Sequence, residues 1–407
     1  MRQDKMIIDN QKVLSRTCPI CGFRSGKILR KIEMIKLNNI PIDTEYDVVK
    51  CENCGFCYAD VSSQQNQYNL YYQNSNIYSV SASLKENIIS QICKVRYEVF
   101  EKYVEKNARI LDIGCGDGAF LRYLKERGYS NIYGIDPSRE SIRCLEENGI
   151  SGESGNIFGD VPNRLRNQYD VVTCTAVMEH IYELKSALSQ MSLYLSQPRG
   201  RIFIEVPAVE GFEKNIFPVA NYFNQEHINY FSIVSLDNLF VENGYKRVSK
   251  KKEAYKTITE NENQKELSLC VLYQRTGEKG NIVQDTISEN SIKNYFKIID
   301  AKNNDMHNKI KEIVALHEEI VVWGTGSYTL QMLKEIPELK RHIAYFVDNN
   351  ELKQGKKIED IMVYSPQNLL HDNKRSFILI CSMMNGRDIA DQISAMKLKN
   401  QYYIVGC

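Results

Sequence analysis

The chain has 407 residues, enough for two or three domains that each bury a core. Hydrophobic residues at 43% and charged residues at 25% describe an ordinary globular protein. A formal net charge of +1 removes any global electrostatic case for nucleic acid or an anionic membrane as partner.

No apolar run approaches a membrane span and no signal-like segment opens the chain, so a cytoplasmic location is expected. In a reducing compartment its twelve cysteines are expected to serve metal binding or burial rather than disulfides.

Residues 1–75 carry Cys18-Pro-Ile-Cys21 and then Cys51-Glu-Asn-Cys54, each pair followed by a glycine, Gly22 or Gly55. Two Cys-x-x-Cys knuckles supply four thiolates, which close a tetrahedral zinc site and leave no position for water, so the zinc is expected to be structural. Cys57 is a nearby spare thiol. A segment this small needs the metal as part of its folding energy. The connector that follows is rich in tyrosine (Tyr68, Tyr71, Tyr72, Tyr78) and reads either as a polar linker or as a lid, with Tyr78 the phenol expected to reach an active site.

Residues 76–277 begin with a helical stretch over 85–105. A short strand (Ile110, Leu111) then feeds the turn Asp112-Ile-Gly114-Cys-Gly116-Asp-Gly118, and an amphipathic helix follows. Glycines permit close backbone approach to a ligand, and the helix start presents free N–H groups to it. A second strand ends in Asp136, placed to accept bonds from ribose hydroxyls, and Asn156 is expected to add a cofactor contact.

Gly114, Gly116 and Ala119 also satisfy a dinucleotide fingerprint. However, Asp112 and Asp117 flank the turn, and no Lys or Arg occurs between Arg109 and Arg122. A pyrophosphate sits poorly there, whereas an ammonium and a sulfonium sit well. The Asp-x-Gly-x-Gly-x-Gly spacing resembles motif I of class I S-adenosylmethionine (SAM) methyltransferases. Tyr169-Asp170-Val-Val through Glu179-His180-Ile resembles their fourth-strand motif, and Leu195 to Pro207 their fifth strand. Strands at βαβ spacing imply a doubly wound α/β sheet with its ligand at the carboxyl ends. Two late strands, near Tyr245–Tyr255 and Glu266–Gln274, are expected to finish the sheet as an antiparallel pair.

Residues 278–407 repeat the strand–turn–helix theme, with Trp323-Gly324-Thr-Gly326 as the turn and a strand ending in Asp348. This reads as a smaller Rossmann-like domain. Thr329 stands where a third glycine would complete the fingerprint, which weighs against full NAD binding there.

Zinc knuckles, a central SAM domain with Glu226-His227-Ile-Asn-Tyr230-Phe-Ser232, and a C-terminal Gly-x-Gly domain cover nearly the whole chain. In this order they resemble the three-domain sugar C-methyltransferases, which methylate nucleotide-linked 4-keto deoxysugars. The resemblance implies a nucleotide-sugar substrate facing the Glu226–His227 loop, with SAM and structural zinc as the bound groups and a monomer or weak homo-oligomer as the working form.

Histidine is the side chain whose pKa best suits removal of a C–H proton beside a ketone, so His227 is the expected base, with Glu226 as its orienter or as the base itself. Tyr222, Tyr78 or His180 is expected to donate to the developing oxyanion. His180 reads equally as a residue that only shapes the SAM pocket. The family pattern has a tyrosine two places before the Glu–His pair. Here Asn224 stands there and Tyr222 is the nearest upstream phenol, which keeps O- or N-methylation of a sugar, a surface-polysaccharide precursor or a small metabolite open. A zinc-ribbon protein that binds nucleic acid is the rival from another class, and near-zero net charge argues against it.

Overall fold

A computed structural model describes residues 11–36, 40–74, 86–214, 217–249, 253–257, 265–371, 375–382 and 385–405. They gather in two units. One comprises Met1–Lys31, Pro41–Asn215 and Glu226–Lys293; the other comprises Ile32–Ile40, Ile216–Gln225 and Asn294–Cys407.

The first unit contains two sheets. The smaller has the order β1 (Gln11–Val13), β2 (Ser25–Glu33), β3 (Glu45–Cys51), β4 (Cys57–Asp60) and β10 (Asn229–Tyr230). Its cysteine pairs lie in two equivalent turns. Cys18 N–H donates to Phe23 O at 2.9 Å, and Cys51 N–H donates to Phe56 O at the same distance. Gly22 (φ 74°) and Gly55 (φ 78°) then reverse the chain in the left-handed region. At Gly55 a Cβ would fall 2.2 Å from Asp285 O, so only glycine fits.

The larger sheet has the order β11-β13-β9-β8-β5-β6-β7, with β12 also on β13. Its parallel part is β5 (Ile110–Ile113), β6 (Ile132–Asp136), β7 (Ser151–Ser154), β8 (Val171–Thr175) and β9 (Arg201–Pro207). The chain moves outward from β5 through β6 to β7, then returns to the other side of β5 for β8 and β9. That reversal puts the topological switch point, where α/β sheets bind ligands, at the end of β5. Helices α2 (Glu86–Phe100), α3 (Ala119–Glu126), α4 (Arg139–Glu147), α5 (Leu184–Tyr194) and α7 (Ile233–Glu242) accompany it.

The expected single strand over Tyr245–Tyr255 is instead two, β11 (Tyr245–Arg247) and β12 (Glu253–Thr257). Both run antiparallel to β13 (Lys265–Arg275), whose eleven residues are long enough to pair with β11 at one end and β12 at the other.

One continuous buried cluster joins the cysteine segment to the large sheet, from Leu14, Cys18 and Phe56 through Ile113 and Val172 to Ile204. The cysteine segment therefore shares a core with the larger sheet and does not depend on a core of its own.

In the second unit six strands take the order β16-β17-β15-β14-β18-β19. The parallel part is β14 (Ile320–Trp323), β15 (Ile343–Val347), β17 (Ile361–Tyr364), β18 (Phe377–Ile380) and β19 (Tyr402–Ile404), and β16 (Lys357–Ile358) pairs antiparallel with β17. Helix α9 (Ser327–Glu335) starts at the Gly324–Gly326 turn. The short helix α6 (Val219–Tyr222) belongs to this unit. The Phe223 ring that follows it lies 4.7 Å from Phe296 of α8 (Ser288–Leu316).

Phe56 is fully buried and its ring lies 5.6 Å from Tyr58 and 5.4 Å from Phe231. Phe56→Ala should cost about 3–5 kcal/mol in urea unfolding. Because the core is shared, the loss should appear in the same transition as the unfolding of the larger sheet, rather than in a separate early one.

Candidate active site

A cavity of about 470 Å³ opens at the carboxyl ends of β5, β6 and β8, within the usual size of a ligand site. Its walls hold the carboxyl groups of Asp112, Asp117, Asp136, Glu179, Glu226 and Glu266, and Arg96 is the one Lys or Arg among the described lining residues. That guanidinium is bonded at 2.8 Å to the fully buried Glu205 carboxylate. The balance of charge favours a cationic ligand.

The glycine turn forms the first half of this cavity. Asp112, 1% exposed, accepts a 2.6 Å bond from the Thr173 hydroxyl. Burial pushes its carboxyl up to about 7 even against that bond. Asp136 accepts from Gly116 N–H at 2.8 Å and from Ser138 N–H at 2.9 Å, which fixes both its oxygens at the mouth of the turn. Burial also raises Asp136, and these backbone donors act the other way. Gly116 (φ 54°) faces open space, where a ligand can approach the backbone.

Asn156 lines the cavity, its side chain holding the turn by accepting from Phe158 N–H. Gly118 is not on the wall. It precedes α3, and a Cβ there would fall 2.2 Å from Leu145, so its role is packing of the turn.

The second half is built by residues distant in sequence. Tyr71 of α1 (Gln65–Asn74) donates its hydroxyl to Glu226 Oε1 at 2.6 Å. His180 Nδ1 lies 3.1 Å from Glu226 O; since a carbonyl only accepts, this nitrogen carries the proton. Burial lowers the His180 pKa, which favours the neutral ring. The His180 and His227 rings meet edge to face at 4.8 Å, and Tyr72 stands 5.8 Å from His180. Glu179, His180 and His227 bring one ligand atom each within 4.8 Å of one another, so they could also hold a cation.

Of the other groups expected at this site, Tyr222 is buried in the second unit, its ring 5.7 Å from Phe217 and 5.4 Å from Tyr295, and it does not line the cavity. Asn224 is in the same unit and donates to Asn221 O. Tyr78 lies outside the described residues. Sequence reading gave no role to Arg96 or Glu205. The only hint of α1 at the site was the run of tyrosines that includes Tyr71 and Tyr72.

Cys18, Cys21, Cys51 and Cys54 bring their sulfurs within 4.8 Å of one another, with Cys18–Cys54 at 3.6 Å and Cys21–Cys51 at 3.4 Å. A tetrahedral zinc with bonds near 2.3 Å needs sulfurs about 3.8 Å apart, so the set fits that ion. Cys57 is outside the cluster; its sulfur is buried 3.8 Å from Gly55 O.

Residues 84–250 match the family described as "Methyltransferase domain", and residues 316–404 match "C2185-like, N-terminal". The ubiquinone biosynthesis O-methyltransferase of Aeromonas salmonicida is 34% identical over 101 residues, 24% of this chain and 42% of that protein. The C-methyltransferase NovU of Streptomyces niveus is 26% identical over 143 residues, 34% of this chain and 33% of that protein. The chain thus spans less than half the length of these curated relatives. A solved SAM-dependent methyltransferase from Mesorhizobium loti aligns at 16% identity with a TM-score of 0.36, over 44% of this chain and 98% of the other.

The Asp112 carboxyl near 7 gives the site a pH signature. An ammonium favours the ionised carboxylate, so SAM affinity should rise about fivefold from pH 6 to pH 7, below the titration of the ligand's own amine. Calorimetry should show this slope in the native protein and its loss in Asp112→Asn. A flat native profile would rule out a contact between Asp112 and the ammonium. Residues 84–250 of this chain are thus a methyltransferase domain.

Proposed function

We propose that this chain transfers a methyl group to a carbon of a nucleotide-linked 4-keto deoxysugar by way of an enolate. The observation that carries the reading is the Glu226–His227 loop opening into the same cavity as the glycine turn. The match to a C-methyltransferase over 143 residues supports it. In this reading SAM supplies an electrophilic methyl held on a sulfonium.

His227 takes the proton from the carbon beside the ketone, and the electron pair released moves toward the carbonyl oxygen. His180, with its Nδ1 proton committed to Glu226 O, keeps the neighbouring ring in place. Tyr71 holds the Glu226 carboxylate, replacing the upstream phenol that the resemblance led one to expect at Asn224. Water is excluded by the walls of α1 and α2, which contribute Tyr72, Ile89 and Ile92 to the cavity.

The four-cysteine cluster is read as a zinc-ribbon-like site with a structural role. The third segment, with its parallel sheet and its own family match over 316–404, is read as a Rossmann-like domain for the nucleotide part of the substrate. No helix among the described residues is long and apolar enough to cross a membrane, in keeping with a proposed cytoplasmic enzyme.

O-methylation is the second reading, favoured by the Glu179, His180 and His227 trio. A divalent cation there would draw the proton from a bound hydroxyl.

The decisive assay incubates the protein with methyl-labelled SAM and a panel of nucleotide 4-keto-6-deoxysugars in heavy water. A methylated product with solvent deuterium exchanged at the neighbouring carbon is expected. His227→Ala should lower both signals by at least about 100-fold, the scale of a lost general base. An O-methylated product whose formation requires added Mg²⁺ would overturn the enolate reading in favour of the second.

Metal analysis should find one zinc per chain. Cys51→Ser should lose it and lower the unfolding midpoint, since metal binding is part of the folding energy of such a site.

A further inference from the structure

Arg16 stands two residues before Cys18 and is 1% exposed. Its backbone is tied to β4. Its N–H donates to Asp60 Oδ1 at 2.7 Å, and its carbonyl accepts from the Tyr58 hydroxyl at 3.1 Å. From that fixed base the guanidinium reaches the two segments that carry the histidines of the cavity.

Nη1 donates to Ile228 O at 3.1 Å, the residue directly after His227. Nη2 lies 3.1 Å from Ile181 O and 2.6 Å from Tyr182 O, the two residues directly after His180, and 3.0 Å from Asn229 Oδ1. Asn229 completes the link by donating its side-chain amide to Met178 O and Ile181 O. The Tyr182 ring covers the guanidinium, with its centroid 4.7 Å from Cζ.

These side-chain acceptors are three carbonyls and an amide oxygen, with no carboxylate among them. Burying a cation on neutral dipoles is costly, and an apolar side chain could fill the space at lower cost. What an apolar residue could not do is hold both segments in one planar fork. Hydrogen bonds in a fixed fork set direction as well as distance.

We propose that Arg16 is a positioning residue for the acceptor half of the cavity. From the cysteine segment it clamps the carbonyls after His180 and after His227, and so sets how the two imidazoles face each other. The inference rests on these histidines serving the acceptor side, but not on which acceptor is methylated.

The test uses the 407-residue, zinc-loaded chain with carbon-13-labelled histidine, and it needs no acceptor. The chain has six histidines: His180, His227, His307, His317, His342 and His371. In Arg16→Met the imidazole resonances of His180 and His227, assigned from His180→Gln and His227→Gln, should move while the other four stay in place. SAM affinity should hold within about twofold. Arg16→Lys keeps the charge but not the planar fork, and should restore fold stability without restoring the two native resonances.

The proposal is overturned if Arg16→Met leaves both resonances in place, or if all six move together with loss of SAM binding, as for a merely structural residue. Should Arg16→Met not fold, Arg16→Lys decides: displaced His180 and His227 resonances support the clamp, and native ones refute it. Failure of the sugar reading would leave these spectra unaffected, so the two ideas stand or fall separately.

Discussion

The half of the cavity that holds Glu226 and His227 depends on a strand of two residues. β10 pairs Asn229 with Tyr58 and Tyr230 with Cys57, which makes the segment directly after the Glu226–His227 loop the fifth strand of the cysteine-bearing sheet. Two residues of strand have little stability alone, since an isolated pairing is marginal in water. The tie is strengthened on both sides. Ala59 N–H donates to Ile228 O, and Ile228 N–H donates to Glu179 O in the turn that ends in His180. The loop that would do the chemistry is thus suspended between the small sheet and the end of β8. It follows that the second half of the cavity, unlike the glycine turn, depends on the small sheet.

Charge suits the cavity to a cationic ligand. Six carboxyl groups against one guanidinium would repel a pyrophosphate, and Glu205 already neutralises that guanidinium. The carboxyl of Asp112 is buried beside the turn, and burial raises it despite the bond from the Thr173 hydroxyl. A cation at the turn lowers the cost of ionising it. The same reasoning separates the cavity from a dinucleotide site without invoking any relative.

What could be read from the sequence was local. The glycine turn, the strand ending in Asp136, the alternation of strand and helix and the two cysteine knuckles each depend on residues a few positions apart, where spacing fixes geometry. Tyr71 and Arg16 could not be read in this way, because their partners lie 155 residues on at Glu226 and more than 160 on at Ile181 and Ile228. Tyr222 shows the opposite failure. It is four positions from Glu226, yet the chain passes into the second unit over Ile216–Gln225 and buries that phenol against Phe217 and Tyr295. Nearness in sequence suggested a donor, and packing of aromatic rings took it elsewhere. The strand over Tyr245–Tyr255 was misjudged because periodicity does not show how much edge its partner β13 offers.

The two glycine turns of this chain illustrate how similar sequence can support different chemistry. A carboxylate offers about four lone-pair sites. At the first turn, Asp136 accepts from Gly116 N–H and Ser138 N–H, so two sites are still open to the hydroxyls of a ribose. At the second, Asp348 Oδ2 accepts from Thr325 N–H, the Thr325 hydroxyl and Lys353 Nζ, and its Oδ1 accepts from Asn350 N–H, so Oδ2 is fully taken and only Oδ1 can accept once more. The Lys353 ammonium also holds that carboxyl low and charged, with the Thr325 and Asn350 donors acting in the same direction against its burial. The second turn is therefore closed on one of its two carboxylate oxygens. A diol that bonds through both hydroxyls would have to displace a donor from Asp348 Oδ2, whereas Asp136 has two sites open, and that difference weighs with the missing third glycine against a dinucleotide at the second turn.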